Sequence, residues 1–384
     1  MKIVFDFRKY DGVIGGVEQG VIQTAKHITK IGCSVVILCK NNRLDQVNNL
    51  FSGDQNLTII PLDVTSHAMS IKNAKLDSTT IQRIALSEKA DIIHFFYNWS
   101  FPFNKKVPCV LTVHDVIPFT FREAMGLYRN MFLYKPGIRT ACRLNDMIAT
   151  VSDFSKQDIA KKVGVPLEKI TVIPNGLREP NPEDLSLEEE LRKKYSASKF
   201  VLNVGGIHER KNIVRLIHAF AILVEERGYA GKLIITGSVS GAPYQRKMKR
   251  ICDASVKETG MENRIVFTDF ISEKELDSLF RMADLLIYPS LYEGFGIPIL
   301  EAMKMGLPVI TSNITAMPEV ANDAAYLVDP KNVEEMASAM SKLLENDQLR
   351  EELIEKGLER ARAYTWQDVS ERYLKLYQKT IALQ

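Results

Sequence analysis

The chain has 384 residues, of which 46% are hydrophobic and 25% charged, with a net charge of +3. The length allows two to three domains' worth of core, the composition excludes disorder and collagen-like repeats, and the near-neutral balance excludes a general nucleic-acid binder. No apolar run approaches the roughly 18 residues that a membrane span needs.

The opening MKIVFDFR sets Lys2, Asp6 and Arg8 among hydrophobic residues and reads as a first β-strand rather than a signal peptide. Strand patterns recur at Ile3–Phe7, Ser34–Leu38, Leu57–Pro61, Asp91–Phe95, Cys109–Val113 and Met147–Val151, with helical periodicity over Val17–Ile31 and Thr79–Glu88. Residues 179–198, EPNPEDLSLEEELRKKYSAS, are polar and proline-bearing and are expected to link two domains and lead into a helix. Alternation then restarts with strands at Phe200–Val204, Lys232–Thr236, Ile265–Phe267, Leu285–Tyr288, Pro308–Thr311 and Ala325–Val328. Helices are expected at Asn212–Glu226, Glu273–Met282, Pro298–Met305, Val333–Asn346 and Gln348–Ala363. This is the pattern of an α/β protein with two doubly wound, Rossmann-like domains, 1–178 and 199–363. Ligands of such sheets bind at the carboxyl ends of strands, and two such domains point to the cleft between them.

The cysteines Cys33, Cys39, Cys109, Cys142 and Cys252 are scattered, odd in number and never form CxxC. They are expected to be free thiols in a reducing compartment, which makes the protein cytoplasmic. Residues 1–175 hold 22 Lys+Arg against 15 Asp+Glu, and the remainder 28 against 32. The basic first half reads either as unevenly spread solvated charge or as a face for something anionic, such as a membrane or a phosphorylated lipid.

Three constellations carry chemistry. Asp11-Gly-Val-Ile-Gly15-Gly16-Val-Glu follows the first strand and opens a helix, where glycines let backbone amides approach an anion. Its spacing is not GxGxxG and no acid ends the second strand, so it reads equally as a tight turn or a phosphate cradle. Gly205-Gly206-Ile-His-Glu-Arg210-Lys211-Asn212 places a planar cationic fork and a point charge at a helix entrance, which suits a diphosphate; a solvated basic turn is the alternative. In Pro289-Ser-Leu-Tyr-Glu293-Gly294-Phe295-Gly296-Ile297-Pro298-Ile-Leu-Glu301 a buried strand runs into a glycine turn and a helix. Amides from Gly294 to Gly296 would be free to bind anionic oxygens, and the two carboxylates would accept from sugar hydroxyls; an offset of the helix dipole is the plainer reading of Glu301.

The segment YPSLYEGFGIPILEAMKMGLPVITSNITAMPEVANDAAYLVDP resembles the retaining glycosyltransferases of family 4, whose mark is Glu, seven residues, Glu. LNVGGIHERKNIVRLIHAFAIL, ATVSDFSKQDIAKKVGVPLEKITVIPNG, GGVEQG and LTVHDVIPF resemble the same family in the same order, most closely its bacterial O-antigen and exopolysaccharide mannosyltransferases. The resemblance implies a GT-B fold, with the acceptor on the first domain, the nucleotide sugar mainly on the second, and the final helix, Tyr364–Leu383, crossing back onto the first. It assigns Arg210 and Lys211 to the donor diphosphate, Glu293 to the hexose near the reacting centre, Glu301 to the ribose hydroxyls, and Gly206, Gly294, Phe295, Gly296 and Ile297 to the donor loops. Gly15 and Gly16 would approach the diphosphate from the first domain, and His114 would lie beside the sugar. The implied reaction is a front-face transfer of a hexose, from GDP-mannose before UDP-glucose or another UDP-hexose, to a glycan or lipid-linked acceptor.

No Asp-x-Asp occurs, so no metal and no further cofactor is expected. Neighbouring strand residues face opposite ways, so of His114 and Asp115 only the histidine is expected at the site. Phe95, Phe96, Tyr97, Trp99, Phe101 and Phe103 crowd one loop, and Arg122, Arg129, Lys135, Arg139 and Arg143 interleave with Leu127, Met131, Phe132, Leu133 and Tyr134. These groups read as core packing or as a groove for a lipid-linked acceptor, contacted by Tyr97 and Trp99, on an anionic membrane. Other readings are a GT-B nucleotide-sugar epimerase or phosphorylase, or a sugar-nucleotide-binding protein without turnover.

Overall fold

The computed structural model describes residues 1–64, 70–121, 126, 129–237 and 242–383, and the chain divides into two compact units. The first comprises Met1–Gly176 and the C-terminal residues from Tyr364; the second is Leu177–Ala363.

In the first unit, strands β1 (Lys2–Asp6), β2 (Ser34–Lys40), β3 (Leu57–Leu62), β4 (Ile92–Phe95), β5 (Cys109–Thr112), β6 (Met147–Thr150) and β7 (Ile170–Val172) form one parallel sheet in the order β3-β2-β1-β4-β5-β6-β7. A parallel sheet is covered on both faces, so its strands are largely hydrophobic, and alternate residues feed two cores. Ile3, Phe5, Val35 and Ile37 enter one core, while Val4, Val36, Leu38 and Ile93 enter the other.

The final helix, Trp366–Ile381, covers the first of these faces with Trp366, Val369, Tyr373, Leu376 and Tyr377. Its start is fitted to glycine, since a Cβ on Gly176 would stand 2.5 Å from the Trp366 ring. Its middle is fixed by a polar contact inside the core. The ring of His94 is fully buried, with Nδ1 2.6 Å from the Tyr377 hydroxyl and Nε2 2.7 Å from Thr112 Oγ1. A neutral imidazole has one donor and one acceptor nitrogen, so one hydroxyl accepts from the ring and the other donates to it. A second polar knot is the buried Arg8, whose guanidinium pairs with Asp6 at 2.7 Å and Asp77 at 2.6 Å.

In the second unit, β8 (Phe200–Val204), β9 (Lys232–Thr236), β10 (Ile265–Phe267), β11 (Leu285–Tyr288), β12 (Val309–Ser312) and β13 (Tyr326–Val328) are parallel in the order β10-β9-β8-β11-β12-β13. One expectation is corrected here. Residues 179–198 are not a free linker: they belong to the second unit, and Leu185–Tyr195 is a helix that buries Glu188, Leu191 and Tyr195. A helix also spans Pro243–Glu258, where a basic first half masks the core positions Met248, Cys252 and Val256 at four-residue spacing. All five cysteines are buried and none is disulfide-bonded.

Burial drives the His94 pKa well below its ordinary value, with the neighbouring His114 acting in the same direction. The stability this neutral ring contributes is therefore complete above the unfolded pKa of about 6.5 and is lost as the pH falls below it. The thermal midpoint should drop between about pH 7.5 and about pH 5, and His94→Gln, which keeps a donor and an acceptor, should flatten the slope. An equally steep slope in the variant would show that His94 is not its source.

Candidate active site

In the second sheet the strand order reverses between β8 and β11, the place where connections to opposite faces part and leave a crevice. The loop after β8 passes through Gly205 and Gly206 at φ 122° and 75° into a short turn, Glu209–Lys211. It is tied to the loop after β11 by two bonds: Leu291 N donates to the Arg210 carbonyl at 2.7 Å, and Asn212 Nδ2 to the Pro289 carbonyl at 3.1 Å.

Across this junction the charges meet. Arg210 Nη1 lies 2.5 Å and Lys211 Nζ 2.8 Å from the same oxygen, Glu293 Oε1. Lys211 Nζ also donates to the Tyr288 hydroxyl at 2.5 Å and stands 4.4 Å from that ring's centre. The lysine is only 6% exposed. Gly205 makes room for it, because a Cβ there would come within 2.6 Å of Nζ. Burial lowers the Lys211 pKa although Glu293 opposes it. For Glu293 burial works the other way, but Lys211 and Arg210 outweigh it and hold the carboxyl below its usual range.

In the glycine turn that follows, Gly294 and Phe295 each take part in interactions within the chain. Gly296, at φ 112°, caps the helix Ile297–Lys304, with Pro298 in its first turn. Glu301 sits on that helix, and its Oε1 accepts from Arg178 Nε at 3.2 Å. Arg178 turns its other two nitrogens onto Asp277, with Nη1 2.9 Å from Oδ2 and Nη2 bonded to Oδ1. Burial raises the Glu301 pKa, Arg178 opposes the rise and Asp277 adds to it. Arg178, Asp277 and Tyr288 were not singled out from sequence. Arg178 lies two residues beyond the IPNG stretch, the one signal available, while Tyr288 is hidden inside a hydrophobic strand.

In the first unit Gly15 caps and Gly16 begins the helix Gly16–Lys30, both exposed. The Gly15 amide already donates to Glu18 Oε2 at 3.1 Å. His114 follows β5, and burial pushes its pKa down to about 4. Its Nε2 is buried with no protein partner among the described residues. Asp115 accepts from the Ile117 amide at 2.9 Å and so serves the turn.

The aromatic loop is mostly core. Phe95, Phe96, Tyr97 and Phe101 are buried, and the Tyr97 hydroxyl donates to Glu18 at 3.3 Å, so Tyr97 is corrected from an acceptor contact to a packing residue. Trp99 is half-buried and packs edge-on against Tyr134 at 5.2 Å. Phe103, Met131, Phe132 and Leu133 are exposed, as are Arg129, Arg139 and Arg143; Arg122 and Leu127 lie outside the described residues. Among the described residues no cluster of three or more His, Cys, Asp or Glu is placed to hold a metal ion, and no helix is long and apolar enough to cross a membrane.

Two family descriptions match, "Glycosyltransferase Family 4" over residues 14–178 and "Glycosyl transferases group 1" over residues 188–360. The chain belongs to glycosyltransferase family 4. It is 29% identical over 307 residues to O-antigen chain mannosyltransferase B of Escherichia coli, covering 77% of this chain and 76% of that protein. It is 28% identical over 289 residues to the serotype-specific mannosyltransferase WbdA of E. coli, covering 72% of this chain but only 35% of that longer protein. Among solved structures, Anabaena HepE, determined with UDP and glucose, superposes with a TM-score of 0.74 at 18% identity over 99% of this chain and 100% of that one. The fold of this glycosyltransferase is thus GT-B, two Rossmann-like units.

Gly205→Ala tests the seat of Lys211 in this enzyme. A side chain at that φ costs on the order of 1–2 kcal/mol of stability, and its Cβ displaces the ammonium, so transferase activity should fall at least about tenfold. Activity equal to wild type would show that Lys211 has no need of this position.

Proposed function

We propose that the enzyme transfers a hexose from a nucleoside diphosphate sugar, with retention of anomeric configuration, to a glycan or lipid-linked oligosaccharide in cell-surface polysaccharide synthesis. GDP-mannose is the favoured donor and UDP-glucose or another UDP-hexose the next. The observation that carries the reading is the meeting of Arg210 and Lys211 on one buried carboxylate oxygen at the strand switch point. Two cations that share a carboxylate before the donor arrives are placed to hold a diphosphate in its stead. The mannosyltransferase relatives support the sugar, and the UDP bound by HepE keeps uridine donors in contention.

As the bond from the anomeric carbon to the phosphate oxygen breaks, negative charge grows on the departing diphosphate, where fixed positive charge lowers the barrier most. Arg210 and Lys211 supply that charge. Glu293, released from them, is free to accept from hexose hydroxyls, and Glu301 from those of the ribose. The acceptor hydroxyl attacks the anomeric carbon on the face the diphosphate leaves, a new C–O bond forms, and a non-bridging phosphate oxygen takes the hydroxyl proton. The scheme needs neither a protein nucleophile nor a metal ion.

Calorimetric titration with GDP and UDP, each with and without chelator, should show tight binding of one nucleotide unchanged by the chelator; binding of neither overturns the reading. Lys211→Ala should lose on the order of a hundredfold or more in turnover, the scale set by removing one transition-state charge contact. A wild-type rate would remove Lys211 from the mechanism.

A membrane contact is proposed for the first unit. Met131, Phe132 and Leu133 are exposed in succession beside the exposed Arg129, Arg139 and Arg143. Apolar side chains that enter the headgroup layer among arginines suit an anionic leaflet, each basic residue adding about 1 kcal/mol. The protein should float with vesicles containing phosphatidylglycerol and less with neutral ones, and Phe132→Ser should weaken flotation. Absence from both vesicle fractions would leave these residues without a membrane role.

A further inference from the structure

Arg178 has a geometry that a purely structural ion pair does not need. Its two terminal nitrogens meet Asp277 as a fork, and the carboxylate of Asp277, fully buried, also accepts from the Asn181 amide and Asn181 Nδ2, each at 2.8 Å. Both oxygens of Asp277 are therefore engaged, and the plane of the guanidinium is fixed. Lys304 Nζ holds the Arg178 carbonyl at 3.0 Å, and Arg281 donates to the Asn181 carbonyl, so the backbone that carries the arginine is pinned as well. The N–H of Nε is spent on Glu301 Oε1 at 3.2 Å. Glu301 Oε2 has no protein partner among the described residues.

We infer that Arg178, locked by Asp277, is a positioning residue that holds the Glu301 carboxylate in the orientation that accepts the vicinal ribose diol of the donor nucleotide. A glutamate on a helix surface samples several rotamers, and ordering it on binding costs affinity. Arg178 meets that cost in advance: it fixes one oxygen from behind and leaves the other open, with a lone pair remaining on the first. The same charge opposes the upward pull of burial and of Asp277 on the Glu301 pKa. A lysine would reach Asp277 or Glu301 but has no planar fork with which to serve both. The inference rests on reading Glu301 as the ribose ligand.

The test compares three probes by calorimetry: GDP (or UDP, whichever the wild type binds), its 2′,3′-dideoxy counterpart, and inorganic pyrophosphate. Two variants are used, Arg178→Lys and the double variant Arg178→Gln/Asp277→Asn, which removes the buried Asp277 carboxylate together with its arginine. Wild type should prefer the nucleotide over its dideoxy form by about tenfold or more, the worth of a hydrogen bond to a charged group. Both variants should lose most of that preference and bind pyrophosphate within about twofold of wild type, with donor KM raised and kcat changed less than about threefold. A variant that folds, by its melting midpoint, and keeps the preference overturns the inference. So does one that loses pyrophosphate and nucleotide binding in parallel, since Arg178 would then act only by holding the unit together. A wild type that binds nucleotide and dideoxynucleotide alike removes Glu301 from the ribose, and that failure of the underlying reading shows in the wild-type titration alone.

Discussion

The second unit depends on a single carboxylate oxygen, Glu293 Oε1, held between Arg210 and Lys211. Taking two cations out of water is expensive, and a buried pair of like charges without a counterion would neutralise itself by losing a proton or would not fold. Glu293 resolves this by lending one negative charge, and Tyr288 adds a hydroxyl under the ammonium. The loops after β8 and β11 are thereby closed on each other by the same groups that are proposed to bind the donor. The arrangement sets two cations against one carboxylate at the crevice.

The two glutamates of the family motif are chemically identical and eight positions apart, yet their surroundings drive them in opposite directions. Glu293 faces two cations and is held below the usual carboxylate range, whereas burial, reinforced by Asp277, raises Glu301 despite Arg178. Environments that separate the pKa values of like groups also separate their roles. Glu293 is the carboxylate held by two cations, and in the proposed scheme it exchanges them for hexose hydroxyls. Glu301 is a hydrogen-bonding group held by one partner, and Asp277 decides where that partner stands.

Much of this was legible as period and punctuation. β8, β9, β10 and β11 occupy the residues expected of them, because a fully buried parallel strand is a short apolar run bounded by polar or glycine turns, and such runs have few alternative readings. The failures have physical causes. The helix Pro243–Glu258 shows solvent a basic face that hides its apolar stripe, and in residues 179–198 polarity outweighs the few positions that are buried. Within the site, Arg210, Lys211 and Glu293 stood out as charges beside glycines. Arg178 did not, since its partners Asp277 and Glu301 are 99 and 123 residues away and no local spacing betrays such a contact.

The charge imbalance between the halves also changes meaning once the buried groups are located. Arg8 is enclosed with two aspartates, Asp6 and Asp77, so that knot is net negative, and the buried Lys40 is matched by Asp11. Among the described residues the buried cations Arg8 and Lys40 are balanced by the buried Asp6 and Asp77, so the excess of Lys and Arg in residues 1–175 lies outside the core. There it is screened within about 8 Å at physiological salt and acts only on what comes close. Exposed Phe132 and its apolar neighbours stand among such cations. A surface that combines exposed basic charge with adjacent apolar side chains gains from an anionic lipid interface on both counts, and this is the physical ground of the membrane contact proposed for the first unit.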